Sequence, residues 1–156
     1  MASLAYKPEK RFFTEQDFAQ MTWRDNPIHA IAFGPGPDEL TLDIDYIFKA
    51  EVPASAARHP TYWVSPATLV FEGVLELNAS YKAASVLTLV GLEREPVKEG
   101  HLARRFWRWR LNCIQGEMSF LATGYRQFIR RPPELVSHVR LDAGQRGGYD
   151  LMCPKR

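Results

Sequence analysis

The sequence predicts an all-β, mainly antiparallel fold: a single-domain β-sandwich or flattened barrel of about six to eight strands with a short N-terminal helix. Three observations carry that expectation. Residues 106–129 fold on paper into one hairpin whose faces sort by chemistry. With Gln115-Gly116 at the turn, Cys113 faces Met118, Leu111 faces Phe120, Trp109 faces Ala122 and Trp107 faces Gly124, all apolar. The reverse face carries Arg108, Arg110, Asn112, Ser119 and Thr123, with Phe106, Leu121 and Tyr125 among them, the alternation of a half-buried sheet. Residues 39–49 alternate as cleanly, and the remaining strand patterns follow at short spacing.

Taken in order, Thr14 suits a helix N-cap, Glu15 and Asp17 favour the positive end of its dipole, and Phe13 can staple to Phe18. The helix should end near Met21, ahead of the Asn26-Pro27 breaker. Residues 28–33 form a short strand closed by Gly34-Pro35-Gly36-Pro37-Asp38. In the next strand Leu40, Leu42, Ile44, Tyr46 and Phe48 face one way and Thr41, Asp43 and Asp45 the other. Residues 52–60 read as a loop. Residues 62–78 form a long strand interrupted at Pro66, with Leu69, Phe71, Leu75 and Leu77 inward and a bulge at Gly73. A strand over 86–93, a loop over 95–103 and the hairpin follow, ending at Arg130-Arg131-Pro132-Pro133. Residues 134–140 form one helical turn or a last strand, and 144–148 are expected to be flexible. With no repeat or composition break, residues 1–156 are one domain, its ordered core about 12–141 between flexible tails.

Apolar content of 46% and charged content of 24% are ordinary for a globular chain, and a formal net charge of +2 is too small to call for nucleic acid or an anionic membrane. The first residues carry charge where a signal peptide needs an apolar core, and no run reaches the ~18 apolar residues of a membrane span. Two cysteines, Cys113 and Cys153, make no framework. The expected setting is cytoplasmic with free thiols, a bond between the two remaining open.

Four groups of residues can carry chemistry. Asp43 and Asp45, two apart on a strand, project carboxylates about 6–7 Å apart, a spacing for two oxygen ligands of a hard cation or for an acid/base pair; the alternative is an ordinary solvated sheet face. His29 falls opposite Asp43 if the pairing indices sum to 72, and a carboxylate beside an imidazole suits a general base or a ligand. Trp23 and Asp25 stand just ahead of His29, where they can extend that group or simply close a turn and cover the core. Arg104, Arg105, Arg108 and Arg110 alternate with aromatics, and Arg126, Arg130 and Arg131 follow on the partner strand, with Arg105 opposite Arg126. Such a cluster can meet a phosphate, nucleic acid or an acidic protein surface, or pair internally with Asp43, Asp45 or Glu72. No Gly-rich phosphate loop, zinc-spaced Cys/His pair or Gly-x-Ser-x-Gly elbow occurs, and no cofactor is implied.

Trp23-x-Asp25-x-x-Ile28, Leu42-Asp43-Ile44-Asp45-Tyr46-Ile47, Pro66-Ala67-Thr68-Leu69-Val70-Phe71 and Tyr125-Arg126-Gln127-Phe128-Ile129-Arg130 together resemble a family of uncharacterised bacterial β-rich proteins over residues 23–131. Size, the Trp-x-Asp pair and the strand layout are similar also to small β-rich immunity proteins of toxin systems. Neither resemblance implies catalytic residues.

The sequence favours a non-catalytic binding or protein-interaction module whose polar face, with Asp43, Asp45, Arg108 and Arg110, meets a protein partner; edge strands allow a homodimer. The alternatives are a metal-dependent or acid/base enzyme built on Asp43, Asp45 and His29, and an anion binder using Arg105, Arg108, Arg110, Arg126 and Arg130, with nucleic acid disfavoured.

Overall fold

Thr14 starts the first helical turn as its side chain predicts. In the computed structural model, which describes residues 5–55, 58–98, 100–103 and 105–151, strand β1 (Phe12–Thr14) runs into a 3₁₀ helix, Glu15–Gln20. The Thr14 hydroxyl accepts from the Gln16 N–H, and Asp17 accepts from the Thr14 N–H at 2.9 Å, a capping box. Phe13 meets Tyr46 and Phe48, while Phe18 meets Trp23 and Trp109, so the two rings expected to staple each other tie the helix to the sheet.

The rest of the chain is β2 (Pro27–Phe33), β3 (Leu40–Glu51), β4 (Thr61–Glu72), β5 (Leu75–Tyr81), β6 (Leu87–Pro96), β7 (Trp107–Cys113), β8 (Gly116–Ala122), β9 (Gly124–Ile129), β10 (Glu134–Val136) and one helical turn, α1 (Ala143–Arg146). Among the described residues the fold is all-β and antiparallel: ten strands in one sheet, in the order β1-β9-β4-β3-β2-β6-β7-β8-β5, with β10 pairing the first residues of β4. The sheet is open, ending on β1 and β5, and is not a closed barrel. Its strands outnumber the six to eight expected because two long ones bend, each counting twice, and because the short β1 and β10 join the sheet. The ladder Glu72↔Gly124 continues as Leu75↔Leu121 across Gly73 (φ +65°) and Thr123, whose N–H donates to the Glu72 carbonyl at 2.9 Å. Pro66, expected to interrupt the strand, does not. It falls between the part of β4 paired with β10 and the part paired with β9, where its missing N–H costs no ladder bond.

Side chains of β3, β4 and β9 meet those of β6, β7 and β8 in a single core: the Phe71 ring lies 5.3 Å from Trp109 and 4.8 Å from Phe120, and Tyr125 lies 5.6 Å from Trp109. Trp109 is fully buried and donates its indole N–H to the Ala122 carbonyl. The β7–β8 hairpin keeps the predicted apolar face with a different register. Trp109 pairs with Phe120, Leu111 with Met118 and Cys113 with Gly116, two residues from the expected alignment. A slip of two leaves every side chain on its face.

Gly116 stands where β5 crosses the hairpin end, at φ +150°, and a Cβ there would lie 1.9 Å from the Ser80 carbonyl oxygen. Gly116→Ala is expected to destabilise the fold by about 2–3 kcal/mol, since backbone rather than a side chain must move. A urea midpoint unchanged from the parent would contradict that.

After β9 the chain returns over the outer face of β3 and β4. Of the segment 134–140 only Glu134–Val136 forms a strand, β10, the rest being bends, and Leu141 packs with Ile47 and Val64 in a second small core. The segment expected to be flexible carries α1, capped by Asp142 through the Gln145 N–H and closed by Gly147 at φ +72°. Among the described residues, no helix is long and apolar enough to cross a membrane.

Candidate functional site

Asp43 and Asp45 leave β3 on the face opposite Leu42 and Ile44, as the alternation predicts, but neither carboxylate meets solvent; both are 0% exposed. The returning chain, residues 133–151, covers them as a strap, and this corrects the expectation of a solvated face or a partner-facing one. Buried carboxylates are costly unless charge and hydrogen bonds compensate them. Here both are met. Asp43 Oδ1 accepts from Arg130 Nη1 at 2.9 Å and from Arg146 Nη2, and its Oδ2 accepts from the Asp150 N–H at 3.1 Å. Asp45 Oδ1 accepts from Arg146 Nη1, and its Oδ2 accepts from His29 Nε2 at 2.6 Å and the Leu141 N–H at 3.0 Å. One guanidinium from α1 thus spans both carboxylates, and the strap's backbone takes the remaining oxygens.

His29 does reach a carboxylate, though not the expected one. The β2–β3 pairing sums to 73 from Ala30↔Asp43 to Phe33↔Leu40 and to 72 only at Ile28↔Ile44, with a bulge between. The bulge turns His29 onto the outer face and aims it at Asp45. Trp23 and Asp25 are not part of this group. Trp23 is core, its ring 5.7 Å from Tyr125 and 6.2 Å from Tyr46. Asp25 is an exposed turn residue at φ +69° whose N–H donates to the Leu89 carbonyl.

The arginines separate into two places. Arg126 lies on β9, buried, against Glu39 (3.2 Å) and Glu72 (3.6 Å), and Arg130, the residue after β9, lies half-buried against Asp43 and Thr68. Arg108 and Arg110 lie on β7, cross-strand from Glu95 and Glu93, with Arg108 also 3.5 Å from Glu76. They do not pair with Asp43 or Asp45, and Arg105 is exposed in the preceding loop. Arg105 does not stand opposite Arg126 as expected, because β9 leaves β7 to pair with β4, where Arg126 is opposite Val70. Arg104 and Cys153 lie outside the described residues.

Between β2 and the strap is a pocket of about 400 Å³, with His29 and Arg146 on one side and Arg140, Leu141, Gly148 and Tyr149 around it. The Tyr149 ring stands 6.5 Å from the His29 ring and is 72% exposed. No serine, threonine or cysteine is among the lining residues. The site can therefore hold a ligand against an imidazole backed by a carboxylate, and the one hydroxyl among its lining residues is the Tyr149 phenol. Arg146, which organises all of this, was invisible as a functional residue between two glycines. Its available signal was the Asp142-x-x-Gln145 cap beside an otherwise unmatched acidic pair.

No protein-family model, curated protein or solved structure matches the chain.

A divalent ion at Asp43 and Asp45 would have to displace Arg146 from both. Saturating calcium, magnesium, manganese or zinc is accordingly expected to leave the melting temperature unchanged. A ligand at 100 times its dissociation constant adds about 2.7 kcal/mol, several degrees for a chain of this size, so thermal shift against a chelator control decides it.

Proposed function

We propose that this protein is a non-catalytic protein-interaction module, and that the pocket between β2 and the C-terminal strap is its anchor site. The supporting observation is that both buried carboxylates are consumed by arginines and backbone amides. The charged cluster therefore acts as a clamp on the strap, and the strap's outward side chains, Arg140 and Tyr149, rim a concave surface. Arginine and tyrosine beside a pocket are the residue types that dominate binding energy at protein interfaces. The exposed Arg140 guanidinium at the rim favours a partner that inserts an acidic side chain. Neutralisation of a toxin, which the likeness to immunity proteins implies, is one form of this reading.

The test is purification of tagged protein from its native host beside Tyr149→Ser and Arg140→Glu variants. Both positions are on the surface, so folding should be untouched. The reading expects one stoichiometric partner with the parent and its loss with both variants. A partner retained by both, or none with the parent, overturns it.

The 2.6 Å contact between His29 and Asp45 at the pocket favours a second reading, in which His29 is a general base toward a small substrate. Soaking with fragment-sized electrophiles and mapping adducts would support it if His29 alone were labelled and Asp45→Asn suppressed the labelling.

A further inference from the structure

A second pocket, about 200 Å³, lies beside the 3₁₀ helix, away from the strap, and is walled by the N-terminal segment and β3. Four aromatic rings line it. Tyr46 and Phe48 stand 4.9 Å apart, Tyr6 lies 5.6 Å from Phe48, and Phe13 lies 6.2 Å from Tyr46 and 6.3 Å from Phe48. The carboxylates of Glu9 and Asp17 share the lining. Ring faces are negative, so such a set attracts cations, the more so beside a carboxylate.

A cation is already seated there. The Lys10 ammonium pairs with Asp17 and lies 5.3 Å from the Phe13 ring centroid. Burial pushes the Asp17 carboxyl up, but hydrogen bonds from Lys10 and the Thr14 N–H outweigh it and hold its pKa below the ordinary value, so it stays charged at neutral pH. The Lys10 side chain is half exposed, and a lysine is long and mobile enough to leave.

A second observation concerns the strands behind the rings. Gln127 is cross-strand from Phe13, Ser65 is cross-strand from Tyr46, and the Trp23 ring is 6.2 Å from Tyr46. Each has buried side-chain polar atoms with no hydrogen-bond partner among the described residues: both amide atoms of Gln127, the Ser65 hydroxyl and the Trp23 indole N–H. Native interiors rarely leave such groups unpaired, and these three lie behind the ring wall rather than in the pocket lining.

We infer that this pocket is an aromatic cage for a small alkylammonium ligand, with Lys10 the internal cation that the ligand displaces. A quaternary ammonium is favoured over a primary one, because its methyl groups fill the ring-lined space and its charge is weakly hydrated. The volume is below the roughly 300–1,000 Å³ of drug-sized sites, which suits a single head group. This site shares no residue with the strap pocket and stands apart from the interaction reading.

The experiment is an NMR titration of the full chain with choline, beside its uncharged isostere 3,3-dimethylbutan-1-ol, following the side-chain signals of Tyr6, Phe13 and Phe48. Saturable shifts with choline alone are expected. Lys10→Ala should tighten choline about three- to fivefold by emptying the cage, and Tyr6→Leu, outside the main core, should weaken it by a similar factor. Equal responses to the charged and uncharged compounds, or choline affinity unmoved by Lys10→Ala, overturn the inference. A short-chain phosphatidylcholine below its micelle concentration separates sources. Tighter binding than choline identifies a lipid head group, and equal binding identifies the free quaternary ammonium.

Discussion

Arg146→Met is expected to destabilise the protein by about 3–5 kcal/mol, the usual cost of removing one partner from a buried ion pair. At roughly 2–4 °C per kcal/mol for a chain of this length, the melting temperature should fall by about 6–20 °C. The reason is geometric. Arg146 is 4% exposed and, among the described residues, the only group that touches both Asp43 and Asp45. Without it Asp45 keeps only neutral donors or His29, and two carboxylates on one face repel. Urea unfolding gives the free energy, and an unchanged slope would show that the native state rather than the denatured ensemble was altered. Adding Asp45→Asn to Arg146→Met should recover part of the loss, because it removes the charge left unpaired; the double-mutant cycle isolates the coupling. A surface ion pair would instead give under about 1 kcal/mol, which would mean that the strap is not clamped by charge. The same substitution should weaken partner capture, since the strap forms most of the anchor pocket.

The hairpin and the acidic pair show what a linear reading can and cannot reach. Period-two alternation assigns faces and is blind to a slip of two. Trp109 and Leu111 were therefore placed in the core correctly while their partners were not. Alternation also put Asp43 and Asp45 on one face away from the core. Whether that face is wet depends on residues about a hundred positions later, and Asp142, Gln145 and Arg146 act through a single capped turn too short to leave a periodic signal. Gly147 and Gly148 read as flexibility, although Gly147 is the left-handed residue that ends the turn. Gly73 marks one strand bend in the sequence, but Thr123, the matching bend, carries no special composition. His29 was paired with a carboxylate for a sound physical reason, and one bulged residue redirected it to Asp45.

Above pH about 9 the fold is expected to lose stability steeply. Burial pushes the Cys113 thiol above its ordinary 9.0 and the hydroxyls of Tyr46, Tyr81 and Tyr125 above 10.0. Cys113 and Glu117 add to the burial effect at Tyr81, as Tyr46 and Asp17 do at Tyr125, where Arg94 partly offsets them. In each case the native state keeps a proton that the unfolded chain has already released. The folded form therefore binds more protons in that window, and stability falls as pH rises, by up to about 1.4 kcal/mol per pH unit per group. Each contribution is whole below the unfolded value and is lost as pH climbs toward the folded one. One unit above the tyrosine reference, Tyr81 and Tyr125 together should remove roughly 3 kcal/mol, with further shares from Tyr46 and Cys113. Urea midpoints between pH 7 and 11, with tyrosinate absorbance followed in parallel, test this; stability that stayed level from pH 9 to 11 would sink it. Tyr81→Phe separates one share. The Tyr81 hydroxyl is buried against the Cys113 thiol, a weak hydrogen-bonding partner. Its removal should therefore cost little at pH 7 and should raise stability relative to the parent at pH 11. Tyr125 behaves differently, because its ring packs against Trp23, Phe71 and Trp109 in the centre of the core. Its ionisation requires opening that cluster, so its tyrosinate signal should appear only together with global unfolding.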